Sequence, residues 1–293
     1  MDHFVQATYS GLVLGSIYAL IAMGFTLIFG ALRFLNLALG SLFTLGGYVA
    51  WVVAGQWGLT AFVGIVAAFV VVALVGAGTY QIAVRPLVGR PGWDIATIIA
   101  TLGVGIVIEN LILIRFGPRN KSIPQLVEGG FKVGDILRVQ YQQLLSVGVS
   151  LAILILMGIF LTRSRHGLAI RAVAQNRDAA YLSGASVHRV FTMVMGISAG
   201  LAAVAGVLLS AVYFLNPTVG LATALKGLVV TIFGGLGSIT GTLYAAFIIG
   251  LFESYVSMYL GSKWSLPALF VFLIVVLVVR PGGIAGIAEE ARV

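Results

Sequence analysis

The chain contains no cysteine, and only 9% of its 293 residues are charged. The missing cysteine excludes disulfides, thiolate metal sites and cysteine nucleophiles. Soluble domains carry about 25% charged residues. A chain with so few charges and 60% hydrophobic residues must use lipid as its solvent. The composition therefore predicts an all-α polytopic membrane protein.

The chain also lacks the G-x-x-x-x-G-K-[ST] pattern of an ATP site, so any ATP-driven work requires a partner. Its three histidines, His3, His166 and His188, are not paired at ligand spacing, which disfavours a metal site. No Ser/His/Asp arrangement lies within one membrane face. The net charge of +8 is spread over short loops, which does not indicate nucleic-acid binding. We therefore expect no enzymatic activity, no metal and no cofactor bound by this chain.

Apolar segments divide the chain into about eight crossings of roughly 20 residues each. They cover about residues 5–30, 37–54, 59–84, 95–114, 144–162, 190–215, 242–260 and 266–279. A ninth apolar segment, 221–236, is shorter and is followed by a glycine-rich run. It forms either a full crossing or a re-entrant half-helix, and Arg280 with the acidic tail favours the full crossing. No separate soluble domain is visible, so residues 1–293 are expected to form one transmembrane domain.

The basic loop 163–189 sets the predicted orientation, because it carries five arginines against one acid. Cytoplasmic loops are enriched in Lys and Arg, so this loop is expected in the cytoplasm, with the N-terminus outside and the C-terminus inside. The bias is not clean, because six basic residues and two acids fall outside. The outside residues are Arg115, Arg119, Lys121, Lys132, Arg138, Lys263, Glu128 and Asp135.

Within this loop, residues 168–182 contain no Pro or Gly and are rich in Ala, Leu and Arg, which predicts one short helix. Gly184 can adopt the left-handed conformation just past the end of the helix. Small residues at Ala169, Ala172, Ala179 and Ala180 suit close docking to another surface. The alternative is a basic loop that only fixes orientation.

Polar residues inside spans are informative because each is expensive in lipid. For Asn110 and Glu253 the expected role is either hydrogen bonding between packed helices or extension of the side chain to the interface from near the end of a span. Glu109 and Glu253 lie far apart in the sequence, which does not indicate a proton relay. Asn36 lies at a break between two apolar stretches, and Lys226 can extend to the outer interface. Both are candidates for either packing or a transport pathway. The glycine-rich run 234–241 either lines a cavity or forms a tight turn.

Four collinear motifs resemble the LivH-type permease of branched-chain amino acid ABC importers. They are residues 11–30, N-L-A-L-G at 36–40 with G-G-Y at 46–48, R-P-L at 85–87, and Lys226 with G-G-L-G-S-I-T-G at 234–241. The run D-A-A-Y-L-S-G at 178–184 is similar to the E-A-A-x-x-x-G element of ABC importer permeases, with Asp in place of Glu. The match extends from about Gly11 to Ile284.

The resemblance implies a type II-like ABC importer permease with eight to nine transmembrane helices in the bacterial inner membrane. It implies four kinds of partner: membrane lipid, a second LivM-like permease, two ABC ATPases that bind ATP and Mg, and a periplasmic solute-binding protein. It also implies that the loop 163–189 docks on an ATPase. The expected coupling residues are Arg171, Asp178, Ala179, Ala180 and Gly184. The expected pathway residues are Asn36, Leu39, Ser41, Lys226, Gly234, Gly235, Gly237 and Ser238.

The sequence departs from the family pattern at two positions. Leu39 replaces the family histidine, and Ser41 replaces an acidic residue that often follows the next glycine. Relatives in the family are thought to carry branched-chain and other amino acids, urea, short amides or aromatic acids. Within this range, the loss of two polar groups favours an apolar or aromatic cargo. Two alternatives remain open from the sequence: a secondary transporter or channel without an ATPase, and a membrane scaffold without a pathway.

Overall fold

The computed structural model describes residues 2–123, 127, 129–133, 137–280 and 282–285. The helices are α1 (Asp2–Leu32), α2 (Leu39–Ala50), α3 (Ala61–Thr79), α4 (Trp93–Phe116), α5 (Tyr141–Arg163), α6 (Arg165–Gln175), α7 (Arg177–Leu182), α8 (Val187–Val212), α9 (Val219–Gly234), α10 (Ile239–Tyr259) and α11 (Ser265–Val279). π-Helical turns, Trp51–Gln56 and Tyr80–Val84, extend α2 and α3, and the 3-10 turn Ser262–Trp264 precedes α11. Strands β1 (Gly130–Val133) and β2 (Leu137–Gln140) form an antiparallel hairpin.

Eight helical segments of the described chain are long and apolar enough to cross a membrane, by length and composition. They correspond to α1, α2 and α3 with their π-helical turns, α4, α5, α8, α10, and α11 with its 3-10 turn. Helix α9 has 16 residues, which is about 24 Å of helix. The predicted pattern of eight helices long enough to cross and one shorter apolar helix is confirmed.

Helices α1 and α8 lie at the centre of the bundle, with most of their side chains buried. Helix α10 packs antiparallel to α1. Two hydrogen bonds between side chains show this direction: Thr26 with Thr242 at 2.8 Å near the end of α1, and Thr8 with Tyr255 at 2.7 Å near its start. The two backbones touch at glycines. A Cβ added at Gly250 would lie 2.4 Å from the Gly15 nitrogen. Small residues permit this approach, as is common between membrane helices.

The two ends of the bundle differ. One end, called the loop face, carries α6 and α7 beside the end of α1, since Arg177 bonds the carbonyl of Leu32. The α9–α10 turn is at the same end, where a Cβ on Gly30 would lie 3.9 Å from the Gly237 Cα. The other end, called the hairpin face, carries β1 and β2. The loop before β1 meets the end of α8 there, through two backbone bonds of 2.8 and 3.0 Å between Lys121 and Leu215.

Helix α9 runs from the hairpin face to the loop face. The chain after α11 returns to the end of α9, where the Ile284 amide donates to the Phe233 carbonyl at 2.8 Å and the Ala285 amide donates to the Gly234 carbonyl at 3.2 Å. The end of α11 therefore lies on the same face as the loop 163–189. This arrangement agrees with the expected passage of α9 from one face to the other.

Two sequence predictions need correction. The expected single helix over 168–182 is two helices, α6 and α7, because Asn176 adopts an extended conformation and its side chain caps α7. The polar segment between α4 and α5, which the sequence presented only as a loop, contains the β1–β2 hairpin, while the all-α class of the membrane bundle is confirmed. Glu128 and Asp135 of this segment, and the tail 286–293, lie outside the described residues.

Candidate functional site

The starts of helices α6 and α7 are each fixed by a side chain that caps the first amides of the helix. Ser164 Oγ accepts from the Gly167 amide at 2.8 Å at the start of α6. Asn176 Oδ1 accepts from the Ala179 amide at 3.0 Å at the start of α7. Ser and Asn are preferred at this position because the first amides of a helix have no partner within it. The loop 163–189 is therefore an ordered pair of short helices on the loop face.

The predicted coupling residues fall on both sides of this pair. Asp178, Ala179 and Gly184 are exposed, whereas Ala180 is 5% exposed and packs inward. Arg171 is exposed and donates to the carbonyl of Thr162 at 3.2 Å. Ala180 therefore holds α7 against the bundle, which leaves the other four residues available to a partner.

Beside the exposed Asp178, α7 also exposes two large side chains with apolar surface, which sequence reasoning missed. The side chain of Tyr181 is 70% exposed and that of Leu182 is 85% exposed. Together they place apolar surface on the outer side of a helix that lies outside the spans. The signal was present in the sequence as the Tyr-Leu pair after two alanines, but the exposed face of α7 could not be assigned until the break at Asn176 was known.

Arg177 was not among the predicted site residues, yet it is the most extensively contacted arginine of the loop. Its guanidinium donates to the carbonyl of Leu32 and, at 3.5 Å, to that of Ala31. The rings of Trp93 and Phe191 lie 5.0 and 5.2 Å from it. Burial, followed by the nearby charge of Arg33, lowers the pKa of the Arg177 guanidinium, which nonetheless stays protonated.

Asn36 lies in the non-helical segment 33–38 between α1 and α2. Its side chain is fully buried; Oδ1 accepts from the Ala38 amide at 3.0 Å and Nδ2 contacts the Met195 sulfur at 3.6 Å. The Leu37 amide donates to Thr101 Oγ1 at 3.3 Å. Irregular backbone at membrane depth is tolerated where it is buried in protein or lines a cavity. In this structure the segment is packed against α4 and α8.

The next two predicted pathway residues differ in exposure. Leu39 is fully buried in the core, and Ser41 is partly exposed. Ser41 faces α4, where a Cβ added at Gly105 would lie 3.2 Å from its hydroxyl. Of Leu39 and Ser41, only Ser41 is therefore accessible from outside the protein core in this conformation.

Lys226 lies in the middle of α9 and does not reach the outer interface as expected. Its amine pairs with Glu253 of α10, and Tyr18 OH donates to the other carboxylate oxygen at 2.9 Å. Ser265 of α11 donates to Glu253 at 2.8 Å. One carboxylate thus joins four helices, which agrees with the packing role expected for Glu253. The Lys226 side chain keeps 19% exposure.

The glycine-rich run forms the tight turn between α9 and α10. Gly235 and Gly237 have φ of 97° and 86°, a conformation that favours glycine. Ser238 Oγ accepts from the Gly241 amide at 3.2 Å and caps α10. Gly234 is buried against Gly241 and Thr242, where an added Cβ would lie 2.6 Å from the backbone of Thr242.

The predicted pathway residues thus occupy three environments rather than one pocket. Asn36, Leu39 and Ser41 lie at the start of α2, Lys226 lies in the Glu253 cluster, and the glycine turn lies on the loop face. Among the residues that the structure describes, no group of three or more His, Cys, Asp or Glu could hold a metal ion.

The described helices are those of a multi-pass membrane protein, with a helical loop outside the candidate spans. The family model described as branched-chain amino acid transport system / permease component matches residues 7–279. The chain belongs to this family, and it is a multi-pass membrane protein that serves as a permease component of an ABC importer. The resemblance drawn from the sequence motifs is confirmed.

Individual relatives extend over nearly the full chain. The permease protein LivH of a high-affinity branched-chain amino acid transport system of Escherichia coli K12 is 32% identical, with 99% of this chain and 98% of LivH covered. The corresponding protein BraD of Pseudomonas aeruginosa is 31% identical with the same coverage. A probable LivH of Methanocaldococcus jannaschii is 29% identical over 94% of this chain and 90% of its own length.

The fold is also similar to a chain of PsaBC from Streptococcus pneumoniae, solved in complex with Fab. The TM-score is 0.52 at 15% identity, and 94% of this chain and 91% of that chain are covered. At this identity the likeness concerns the fold alone.

Proposed function

We propose that this chain is the LivH-like half of a heteromeric importer for branched-chain amino acids in the bacterial inner membrane. It would form the translocation pathway with a LivM-like permease, receive cargo from a periplasmic binding protein and be driven by two ATPases that bind ATP and Mg. The observation that carries this proposal is the similarity to LivH and BraD, which extends from end to end of the chain.

The cargo is tested by reconstituting the importer in liposomes with its binding protein. Labelled leucine, isoleucine and valine should accumulate with ATP inside, and an excess of any one should compete with the others. Phenylalanine is the informative competitor, because Leu39 and Ser41 replace polar groups of the family pattern. Transport of phenylalanine alone would contradict the branched-chain assignment and support an aromatic cargo.

We propose further that α7 docks on the ATPase through Tyr181 and Leu182. Both side chains are exposed and apolar, and α7 contains the start of the D-A-A-Y-L-S-G run that resembles a coupling element. Gly184 is a poor position for a test, because its φ of 86° strains any other residue. A charge at Leu182 tests the surface without changing the backbone.

Leu182→Asp should therefore leave the permease in the membrane but release the ATPases during purification. Burying an unpaired carboxylate in an apolar contact is strongly unfavourable, so we expect a loss of binding of about tenfold or more. The matched control is Leu236→Asp in the α9–α10 turn, which alters a leucine that is 43% exposed on the same face but outside the loop 163–189. If Leu182→Asp retains ATPases as well as the control does, α7 does not dock through this surface.

A further inference from the structure

Arg177 provides the cation that the end of α1 lacks. The last carbonyls of an α-helix have no partner within the helix, and a cation there interacts favourably with its dipole. The last turn of α1 contains no basic residue. Arg177 of α7 instead donates to the carbonyls of Ala31 and Leu32. One side chain of the loop 163–189 is thereby attached to the end of the central helix.

The guanidinium is also held between two aromatic rings from separate spans. The ring of Trp93, the first residue of α4, has its centre 5.0 Å from the guanidinium carbon of Arg177. The ring of Phe191 in α8 has its centre 5.2 Å from the same atom. Cation–π contacts of this length are attractive, and more so when partly removed from water. Four elements, α1, α4, α7 and α8, therefore meet at Arg177, so α7 cannot shift without disturbing this contact.

The contact lies directly before the non-helical segment that leads to α2. Arg33 follows Leu32, whose carbonyl accepts from Arg177. Among the described residues, Arg33 is the one non-glycine residue with a positive φ, at 61°. Phe34 then packs edge-on against Trp93 at 6.4 Å. The backbone thus changes direction directly after the carbonyls that Arg177 binds. It continues to Asn36, whose buried side chain accepts from the Ala38 amide.

We propose that Arg177 is the positioning residue that transmits movement of α7 to the α1–α2 segment 33–38. The proposal rests on the proposed docking of α7 on an ATPase. In this arrangement, a displacement of α7 by the ATPase pulls on the end of α1 through the two carbonyl bonds. It also moves Trp93, which packs on Phe34. The segment 33–38 then changes its packing against Thr101 and Met195.

The test uses the assembled importer with its partner subunits. The chain has no cysteine, so Leu35→Cys, at a partly buried position, supplies one thiol within the segment. Its labelling rate is measured with and without ATP, with Arg177 intact and in Arg177→Gln, Arg177→Lys and Arg165→Gln. Arg165 is an exposed arginine at the start of α6 and serves as the matched control.

With Arg177 intact, or with Arg165→Gln, we expect ATP to change the labelling rate of Leu35→Cys. Arg177→Gln should abolish that change and lower uptake by about tenfold, while the ATPases still copurify and still hydrolyse ATP. Arg177→Lys keeps the charge near the helix end and should show an intermediate response. The ratio of cargo moved to ATP hydrolysed should fall in the same order.

Two labelling results would overturn the proposal: an ATP-dependent change in labelling that persists in Arg177→Gln, or no such change when Arg177 is intact. Loss of the ATPases from Arg177→Gln would also overturn it. So would a fall in uptake that is explained entirely by a smaller amount of folded permease. Failure of the docking proposal is recognised separately, because Leu182→Asp would then retain the ATPases regardless of the behaviour of Arg177.

Discussion

At the scale of single residues, Glu253 and Lys226 show how a membrane protein accommodates charge. The Glu253 side chain is 7% exposed, and it accepts from Lys226, Tyr18 and Ser265. Pairing with Lys226 and the hydrogen bonds from Tyr18 and Ser265 offset the cost of placing this carboxylate away from water. The cluster ties α9 to α1, α10 and α11, so its first role is to hold α9 in position.

This pairing makes a prediction about stability. Glu253→Gln keeps the shape of the side chain but leaves the Lys226 amine without a counter-charge, and breaking a buried pair costs about 3–5 kcal/mol. Lys226→Met with Glu253→Gln should lose less than the sum of the single changes, because no unpaired charge remains. The measurement is the melting temperature of the importer in detergent.

The control for this cycle is Glu109→Gln, an acid on α4 that forms no salt bridge among the described residues. It should leave the melting temperature nearly unchanged. Additive losses in the double variant would show that Lys226 and Glu253 do not interact in the folded protein.

Residue roles were predicted unevenly from the sequence. The packing role of Glu253 followed from the expense of an acid in lipid, but its partner on a different helix did not, since sequence spacing says nothing about contacts between helices. Arg177 was missed for the same reason. Its partners at residues 31, 32, 93 and 191 come from three other helices, and the sequence alone presents it as one arginine among five.

At the scale of elements, the contact between α1 and α10 depends on missing side chains. A Cβ at Gly250 would lie 2.4 Å from the Gly15 nitrogen and 2.6 Å from the Gly11 carbonyl. These neighbours are backbone atoms of a buried helix, which cannot move aside independently. The closeness of the two helices is therefore fixed by glycine at these positions.

Gly250→Val should consequently separate α1 from α10 and destabilise the permease. Overpacking typically costs about 1–3 kcal/mol, so we expect a lower melting temperature and less folded protein in the membrane. Gly103→Val is the matched control, because Gly103 also lies within a spanning helix and an added Cβ there meets nothing within 4 Å. Equal stability of the two variants would show that the α1–α10 contact tolerates a side chain.

The long helices were predictable because lipid requires apolar runs of a minimum length, and the observed ends lie within a few residues of those expected. The division into α6 and α7 was not, since Asn176 lies within a run of good helix formers and its capping role depends on an extended backbone. The β1–β2 hairpin was missed because it lies in a polar segment that had been interpreted only as a loop.

At the scale of the whole molecule, the structure fixes which ends of the helices share a face. The loop 163–189, the end of α1, the α9–α10 turn and the chain after α11 all meet on the loop face. The sequence predicted the same grouping from arginine placement and from the expected passage of α9. It could not exclude a re-entrant α9, because a helix of 16 residues is shorter than the hydrocarbon core of about 30 Å.

The final prediction concerns the sides of the membrane. Single cysteines at Ser183 and Leu236 would lie on the loop face, and one at Ser262 would lie on the opposite face; all three positions are exposed. The positive-inside rule predicts that the loop face is cytoplasmic. A membrane-impermeant thiol reagent should therefore label Ser262→Cys in intact spheroplasts, and label Ser183→Cys and Leu236→Cys only after lysis. Labelling of Leu236→Cys from outside, with Ser183→Cys still protected, would mean that α9 does not pass between the two faces in the membrane.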